Sequence, residues 1–143
     1  MMSEENLRRY TDCYAQLTAE NLDSLDAVMT EDIHFVDPFN DVSGLSKVKE
    51  IFQHMFHSLE AARFSVTHSA VDTSGEGRGL ICWRLESLLN GKPYQIVGMT
   101  EVGFSADGRI AEHIDHWDSG QQFYAKIPVI GWLLGLIQAR LKV

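Results

Sequence analysis

The chain has 143 residues, 45% of them hydrophobic, and its 20 acidic and 12 basic side chains give a formal net charge of −8. This composition predicts one soluble domain over residues 1–143 and excludes a disordered or fibrous chain. Nucleic acid is not expected as a partner, because nucleic-acid affinity depends on clustered cations that neutralise phosphates. A domain of this length can bury enough surface to enclose a small-molecule pocket.

The cysteines and the N-terminus indicate the compartment. Cys13 and Cys82 lie far apart in the sequence and form no CxxC pair, which fits neither a disulfide framework nor a zinc module. The histidines are scattered without the Cys or Glu partners of a metal site, so we expect no metal and no cofactor. The first residues are polar and acidic rather than basic and then apolar, so we expect a cytoplasmic protein.

The first 32 residues predict two helices that face a core. Ser3 is the predicted N-cap of the first helix, whose apolar stripe recurs at three- and four-residue spacing: Leu7, Tyr10, Tyr14 and Leu17. Asn21 is the predicted cap of a short second helix, which residues 30–32 close. Its core face is formed by Leu22, Leu25 and Val28 or Met29.

A strand and a third helix follow. Residues 33–37 favour a strand because Ile and Phe suit the pleat, and Pro38 prevents its continuation as a central strand. Residues 40–44 are predicted to form a loop. The next segment predicts an amphipathic helix with a core face of Val48, Ile51, Phe52, Met55 and Leu59.

The second half of the chain predicts four consecutive antiparallel strands, at residues 64–72, 80–89, 94–104 and 110–118. The pairs Asn90-Gly91 and Asp107-Gly108 predict two-residue type I′ hairpin turns. The glycine-rich segment 75–79 lacks the Lys-Ser/Thr of a phosphate-binding loop, and no helix follows it, so a hairpin connection is expected there. The order of elements predicts an α+β domain with helices on one face of a twisted sheet.

Strand alternation identifies the candidate chemical residues. His113, Asp115 and Trp117 share one face of the last predicted strand. The opposite face is formed by Ile110, Glu112, Ile114, His116 and Asp118. Asp37 lies on the apolar face of its own strand, and an ionised carboxylate is costly to bury unless a partner compensates it.

Structural interpretations of the same residues stay open. Asp37 before Pro38 also fits a turn that simply ends the strand. His113 and Asp115 also fit an internal hydrogen-bonded pair, or a strand face covered by the C-terminal segment.

The ordered segments of the chain resemble a known family. The chain runs from Leu17 through Leu22-Asp23-Ser24-Leu25 to Asp32-Ile33-His34-Phe35-Val36-Asp37-Pro38, and a helix led by Gly44 follows. This order resembles the opening of ketosteroid isomerases and SnoaL-like cyclases of the nuclear transport factor 2-like superfamily. The ending His113-Ile114-Asp115-His116-Trp117-Asp118 resembles other SnoaL-like members. The resemblance covers about residues 5–118. It implies a cone-shaped, strongly curved antiparallel sheet wrapped on N-terminal helices around a pocket, with residues 119–143 as an apolar helical extension.

The resemblance also implies an activity. In ketosteroid isomerases the aspartate before the proline is the proton-shuttling base, and Asp37 has that position. Related cyclases, dehydratases and epoxide hydrolases use Asp or His at the positions of His113 and Asp115 as general acid and base. We therefore expect a cofactor-free isomerase, cyclase or hydro-lyase for a small hydrophobic carbonyl, polyketide-like or steroid-like compound. The expected substrate-binding residues are Tyr14, Phe35, Met55, Thr100 and Trp117.

Two departures from the family pattern limit this expectation. Cys13 and Thr100 align with the tyrosine and the protonated acid of the ketosteroid isomerase oxyanion hole. A thiol is a weak donor and threonine is short and neutral, which argues against steroid isomerase activity in the strict sense. A non-catalytic ligand-binding or dimerisation module is therefore the second functional hypothesis.

The resemblance further implies a homodimer formed through the outer face of the sheet. The C-terminal segment predicts a short helix after Pro128, which we expect to act as a lid over the cone or as a dimer element. Its apolar run, residues 127–137, is too short to cross a bilayer, and the acidic body would repel anionic lipid, so membrane contact is not the favoured role.

Overall fold

In the computed structural model, which describes residues 2–74 and 77–143, six strands form one curved, unclosed sheet. The strands are β1 (Met29–Val36), β2 (Asp41–Ser43), β3 (Glu60–Val71), β4 (Gly79–Leu89), β5 (Lys92–Phe104) and β6 (Ile110–His116). The α-helices of the described residues are α1 (Met2–Ala15), α2 (Leu45–Ser58), α3 (Ser119–Gln122) and α4 (Pro128–Leu141), and two 3₁₀ helices span Leu22–Ala27 and Tyr124–Lys126. The predicted α+β cone is confirmed.

The sheet has the strand order β2-β1-β6-β5-β4-β3. Strands β3 to β6 are consecutive antiparallel neighbours, as the turn signals predicted. The pairing of β1 with β6 is parallel and was not predicted; it sets Phe35 opposite His113. Because the two strands run in the same direction, their carboxyl ends meet at one edge of the sheet.

The helices cover the concave side of the sheet through the predicted apolar stripes. Helix α1 contacts β3 and β4, and α2 contacts β1, β2 and β3. The α1 stripe is buried as predicted: Leu7, Tyr10, Tyr14 and Leu17. Stacked and edge-to-face aromatic rings fill the interior of the cone: Tyr10, Tyr14, Phe35, Phe52, Phe64 and Trp83. Burial of these large side chains supplies most of the driving force for folding.

Several predicted boundaries in the first half are wrong. Ser3 lies inside α1 rather than capping it. Asn21 does precede the second helix, but its side chain accepts from Thr18 N and donates to Gln16 O instead of capping that helix. Residues 30–32 belong to β1, which starts at Met29, and residues 41–43 of the predicted loop form the edge strand β2. Short segments such as these acquire their structure from pairing with a neighbour, which local pattern does not encode.

One of the two predicted type I′ turns is confirmed. Asn90 and Gly91 both have positive φ, 52° and 74°. In the second turn only Gly108 does (φ 86°), and the Asp107 carboxylate accepts from the Ser105 hydroxyl and the backbone N–H of Arg109. The connection therefore takes five residues, 105–109, rather than two. In the predicted hairpin connection 75–79, Gly75 and Glu76 lie outside the described residues.

A β-bulge changes the predicted alternation in β6. Gly103 pairs with Glu112, whereas the next residue, Phe104, pairs with Ile110, so Ala111 is an extra residue on β6. Ile110 is consequently buried although strict alternation placed it opposite His113. From Glu112 onward the predicted alternation holds, and His113 faces the core.

The C-terminal segment is helical after Pro128, as predicted. It begins at α3, which Gln122 attaches to the part of β5 that is not paired with β6. The Gln122 side-chain amide donates to Val97 O (3.0 Å) and accepts from Val97 N (2.7 Å). Tyr94 Oη also donates to the backbone oxygen of Gln122. Across residues 2–74 and 77–143, no helix reaches both the length and the hydrophobicity that crossing a bilayer requires.

Candidate functional site

A cleft of about 510 Å³ opens at the sheet edge where β1 and β6 end side by side. It is lined by Val36, Asp37, Pro38, Ile114, Asp115, His116, Trp117 and Asp118. The parallel pairing of β1 with β6 creates this cleft, because it brings the residues that follow both strands to the same edge. Three predicted site residues, Asp37, Asp115 and Trp117, therefore lie in one cleft.

Asp115 is the carboxylate that links this cleft to the core. Its side chain is 9% exposed. Its Oδ1 atom accepts from Thr100 Oγ1 (2.5 Å) and lies 2.8 Å from His113 Nε2. The other oxygen, Oδ2, has no hydrogen-bond partner among the residues that the structure describes. One carboxylate oxygen is thus held by the protein, and the second is left free to act on a ligand.

His113 lies directly behind Asp115 and is completely buried. Its ring stacks on Phe35 at a centroid distance of 4.6 Å, and its Nδ1 atom lies 2.6 Å from Tyr10 Oη. Because a carboxylate only accepts, the neutral imidazole must carry its proton on Nε2 to bond Asp115. Nδ1 is then an acceptor, and the Tyr10 hydroxyl donates to it. The two contacts fix both the tautomer and the ring orientation.

A second arm of the network reaches Asp115 from β4. Trp83 Nε1 donates to Thr100 Oγ1 at 2.7 Å, so the Thr100 hydroxyl proton is directed to Asp115. Both arms, Tyr10 to His113 and Trp83 to Thr100, donate toward the same oxygen. Hydrogen bonds that converge on one oxygen in this way hold Asp115 Oδ1 in a fixed position. We call these five residues the Asp115 network: Tyr10, Trp83, Thr100, His113 and Asp115.

The two tyrosines of α1 are held in the neutral form. Burial raises the pKa of Tyr10 well above its ordinary value, and the charge of Asp115 adds to the effect. Burial likewise raises the pKa of Tyr14, with further contributions from Asp115, Tyr10 and Asp37. Tyr10 therefore keeps its proton and remains a donor to His113 throughout the neutral range.

Asp37 lies in the cleft but is engaged by its own loop. Its Oδ1 atom accepts from the backbone N–H groups of Phe39 and Asn40, both at 2.7 Å, and the Asn40 side-chain amide contacts both carboxylate oxygens. This is the geometry of an Asx turn, which stabilises the turn after β1. Asp37 thus shapes one wall of the cleft and places a second carboxylate next to the strand end that carries Asp115.

The remaining predicted site residues lie at different depths. Tyr14 and Phe35 pack against His113 in the core, and Thr100 lies beneath Asp115. Met55 is half-buried against the core and is not among the residues that line the cleft. Trp117 lines the cleft and contacts Phe39 edge-to-face. The cone interior is thus occupied by aromatic side chains, and the cleft that holds Asp37, Asp115 and Trp117 lies at the sheet edge, open to solvent.

Sequence reasoning missed Tyr10 and Trp83 as site residues. Tyr10 belongs to the predicted core stripe, but its contact with His113 joins residues 103 positions apart and depends on how α1 lies on the sheet. Cys13, aligned with the family's oxyanion-hole tyrosine, is half-buried at the border of the core and contacts Ser24 (3.4 Å between Sγ and Oγ). Tyr14 has the inward position, one helical residue further on.

Within the part of the chain that the structure describes, no three His, Cys, Asp or Glu side chains are grouped as the ligands of a metal ion would be.

Comparison with protein families gives a match to the SnoaL-like domain over residues 7–113. A comparison with curated protein sequences gives no match.

Solved structures show the same fold at low sequence identity. A nuclear transport factor 2-like protein of unknown function from Exiguobacterium sp. 255-15 has a TM-score of 0.67 and 18% identity, covering 79% of this chain and 98% of its own. A putative polyketide cyclase from Xanthomonas campestris pv. campestris has a TM-score of 0.67 and 16% identity, covering 84% and 93%. An epoxide hydrolase from M. tuberculosis, described as LEH-like, has a TM-score of 0.65 and 15% identity, covering 99% and 94%.

Proposed function

The chain belongs to the SnoaL-like domain family, and on that premise we propose that it is a cofactor-free acid–base enzyme in which Asp115 exchanges a proton with a small hydrophobic carbonyl compound bound in the cleft. The class of reaction is isomerisation, cyclisation or water addition or loss. The observation that carries this proposal is the Asp115 carboxylate, of which one oxygen is fixed by two donors while the other is unbonded in the cleft.

The cleft favours a neutral and partly apolar ligand. Its volume of about 510 Å³ is within the usual range for small-molecule sites. Val36, Pro38, Ile114 and Trp117 provide apolar contact area. The carboxylates of Asp37 and Asp115 disfavour an anionic ligand by like-charge repulsion. A ketone, enone or epoxide with a hydrocarbon body meets these requirements.

Proton transfer in this cleft uses the free oxygen of Asp115. The Oδ2 atom takes a proton from carbon next to the substrate carbonyl, and the bonding electron pair moves to the carbonyl oxygen; returning the proton to another atom completes an isomerisation. Thr100 and His113 hold Oδ1, so the carboxylate keeps its orientation while its proton count changes. Asp37, at the end of the neighbouring strand, is the second acid–base group of the proposal.

His113 has a positioning role in this scheme. It is completely buried and reaches the cleft only through Asp115, so contact with the substrate is made by the carboxylate. Tyr10 in turn fixes the tautomer of His113. This differs from the expectation that His113 acts on the substrate directly.

Two of the similar structures are described as enzymes. One is described as a putative polyketide cyclase and another as an LEH-like epoxide hydrolase. At 15–16% identity these neighbours support the fold, and the reaction is proposed from the cleft itself.

A non-catalytic binding module is the second candidate function. It is favoured by one observation: the cone interior is filled with aromatic rings, and the Asp37 oxygens are engaged by the loop after β1. Such a module would bind a ligand at the cleft without turning it over.

The two candidates separate in a turnover assay on a panel of enones, polyketide-like ketones and epoxides. The acid–base enzyme predicts turnover by the wild type and a loss of at least about 100-fold in Asp115→Asn. Asp118→Asn is the matched control, because Asp118 lines the same cleft but is exposed and caps α3 through Gln121 N, a contact that asparagine also makes. Binding without turnover, or equal loss in both variants, contradicts the enzymatic proposal.

A further inference from the structure

Helix α4 exposes a large apolar surface. None of its side chains is fully buried, and seven of them are at least 40% exposed: Val129, Ile130, Trp132, Leu133, Leu136, Ile137 and Leu141. A helix that is apolar on nearly all sides is normally covered by protein or lipid. The seven side chains present roughly 700 Å² of apolar area, close to the ~800 Å² that each partner contributes to a specific interface.

The base of this helix is nonetheless fixed to the domain. Gly131 packs against the carbonyl oxygen of Ala125, where any Cβ would collide, and Gln138 Nε2 donates to Gln121 Oε1 at 3.0 Å. Gly131, Leu134 and Gln138 are the half-buried positions of the helix, and their spacing of three and four marks the single stripe that faces the chain. The rest of the surface is therefore presented outward in a defined orientation.

The apolar surface continues onto the body of the domain. Phe39, Phe123 and Tyr124 contact one another edge-to-face at the foot of α4 and remain 36–50% exposed. Together with the seven α4 side chains they form one surface, here called the tail surface. Its area exceeds that of α4 alone and is sufficient for a stable interface between two chains.

The charge of the chain identifies the partner. Residues 119–143 carry Lys126, Arg140 and Lys142 and no acidic residue. All 20 acidic side chains and nine of the 12 basic ones lie in residues 1–118, which gives that part a net charge of −11. The basic end of one tail is thus complementary to the body of another copy.

We propose that the tail surface is a homodimer interface in which α4 packs antiparallel against α4 of a second copy. The antiparallel direction places Arg140 and Lys142 beside the acidic body of the partner and opposes the two helix dipoles favourably. A parallel pair would bring the basic ends together. The interface is self-complementary about a twofold axis near the middle of the helix, where Leu133 and Leu136 point outward and are about half exposed.

A lipid surface fits these observations less well than a second copy. A helix that lies in the plane of a membrane interface needs a polar face, and the outward positions of α4 are apolar on every side except near Arg140. The net charge of −11 on residues 1–118 also repels anionic lipid.

The first test is the molar mass of the full chain in solution by light scattering. The proposal predicts a dimer for the wild type and a monomer for the double variant Leu133→Glu/Leu136→Glu. The matched control is Val97→Glu/Met99→Glu, which places the same charges on similarly exposed residues of the outer sheet face. The family resemblance implies a dimer through that face, whereas the present proposal places the interface on the tail surface, so this control is expected to stay dimeric. Circular dichroism checks that both variants remain folded. A monomeric wild type, or a dimer lost only in the outer-face variant, overturns the proposal.

The second test is disulfide cross-linking in a background where Cys13 and Cys82 are replaced by serine. Leu136→Cys, near the middle of the outward face, is expected to form a covalent dimer under mild oxidation, and Val129→Cys, on the same face near one end of the helix, is not. Cross-linking at both positions would indicate a parallel pair and overturn the antiparallel arrangement. Flotation with phosphatidylcholine–phosphatidylglycerol vesicles is expected to leave the wild type unbound; binding that Leu133→Glu/Leu136→Glu abolishes would assign the surface to lipid instead.

Discussion

His113, which is completely buried, lies 2.8 Å through Nε2 from Oδ1 of Asp115, which lines the cleft. The contact crosses the boundary between the core and the proposed binding site. A carboxylate at the surface would be free to rotate, whereas His113 and Thr100 hold one of its oxygens inward. The orientation of the proposed catalytic group thus depends on core packing around Phe35 and Tyr10.

The tyrosines of α1 give a matched pair of stability variants. Tyr10→Phe leaves the Nδ1 atom of buried His113 without its donor, so we expect it to lower the free energy of unfolding by about 1–3 kcal/mol. Tyr14 is equally buried, but its hydroxyl has no hydrogen bond among the described residues, so Tyr14→Phe is expected to change stability by less than about 0.5 kcal/mol. Urea unfolding measures both. Equal losses would show that the Tyr10–His113 contact does not stabilise the fold.

The same tyrosines determine the alkaline limit of stability. Burial raises the pKa of Tyr10 and Tyr14 above 10 in the folded state. Above pH 10 the unfolded chain loses these protons while the folded chain keeps them, so stability is complete below pH 10 and falls as the pH rises further. Ultraviolet difference titration should show tyrosinate from Tyr10 and Tyr14 only together with unfolding. Their smooth titration in a folded protein would contradict the burial described here.

Asp37→Asn distinguishes a structural from a catalytic role of that residue. Asparagine also forms Asx turns, so the turn with Phe39 and Asn40 should persist and thermal stability should change little. We expect turnover to fall by about 10- to 100-fold, because the second acid–base group of the cleft is lost. The measurement is kcat on any substrate found in the panel. Unchanged turnover would show that Asp37 shapes the cleft wall and takes no part in proton transfer.

Much of the architecture follows from local pattern. The stripe that includes Tyr10 and Tyr14, the Asn90-Gly91 turn and the four antiparallel strands are each set by residues close in sequence. Local pattern also gives the shared strand face of Asp115 and Trp117 and the place of Asp37 after its own strand, because alternation and strand ends are local properties. Their meeting in one cleft additionally requires the pairing of β1 with β6.

The features that local pattern misses depend on distant residues. The parallel pairing of β1 with β6 and the bulge at Ala111 depend on how separate strands align with one another. The Tyr10–His113 and Trp83–Thr100 contacts require the helix and both strands to be in place first. The filled interior of the cone is likewise a property of packed volumes, which composition and spacing do not determine.

Proton exchange by Asp115 can be measured in D₂O by mass spectrometry as deuterium incorporation next to the carbonyl of the panel ketones. We expect incorporation above the buffer rate with the wild type, at least about 100-fold slower incorporation with Asp115→Asn, and a wild-type rate with Asp118→Asn. Incorporation by Asp115→Asn at the wild-type rate would contradict the assignment of Asp115 as the group that exchanges the proton.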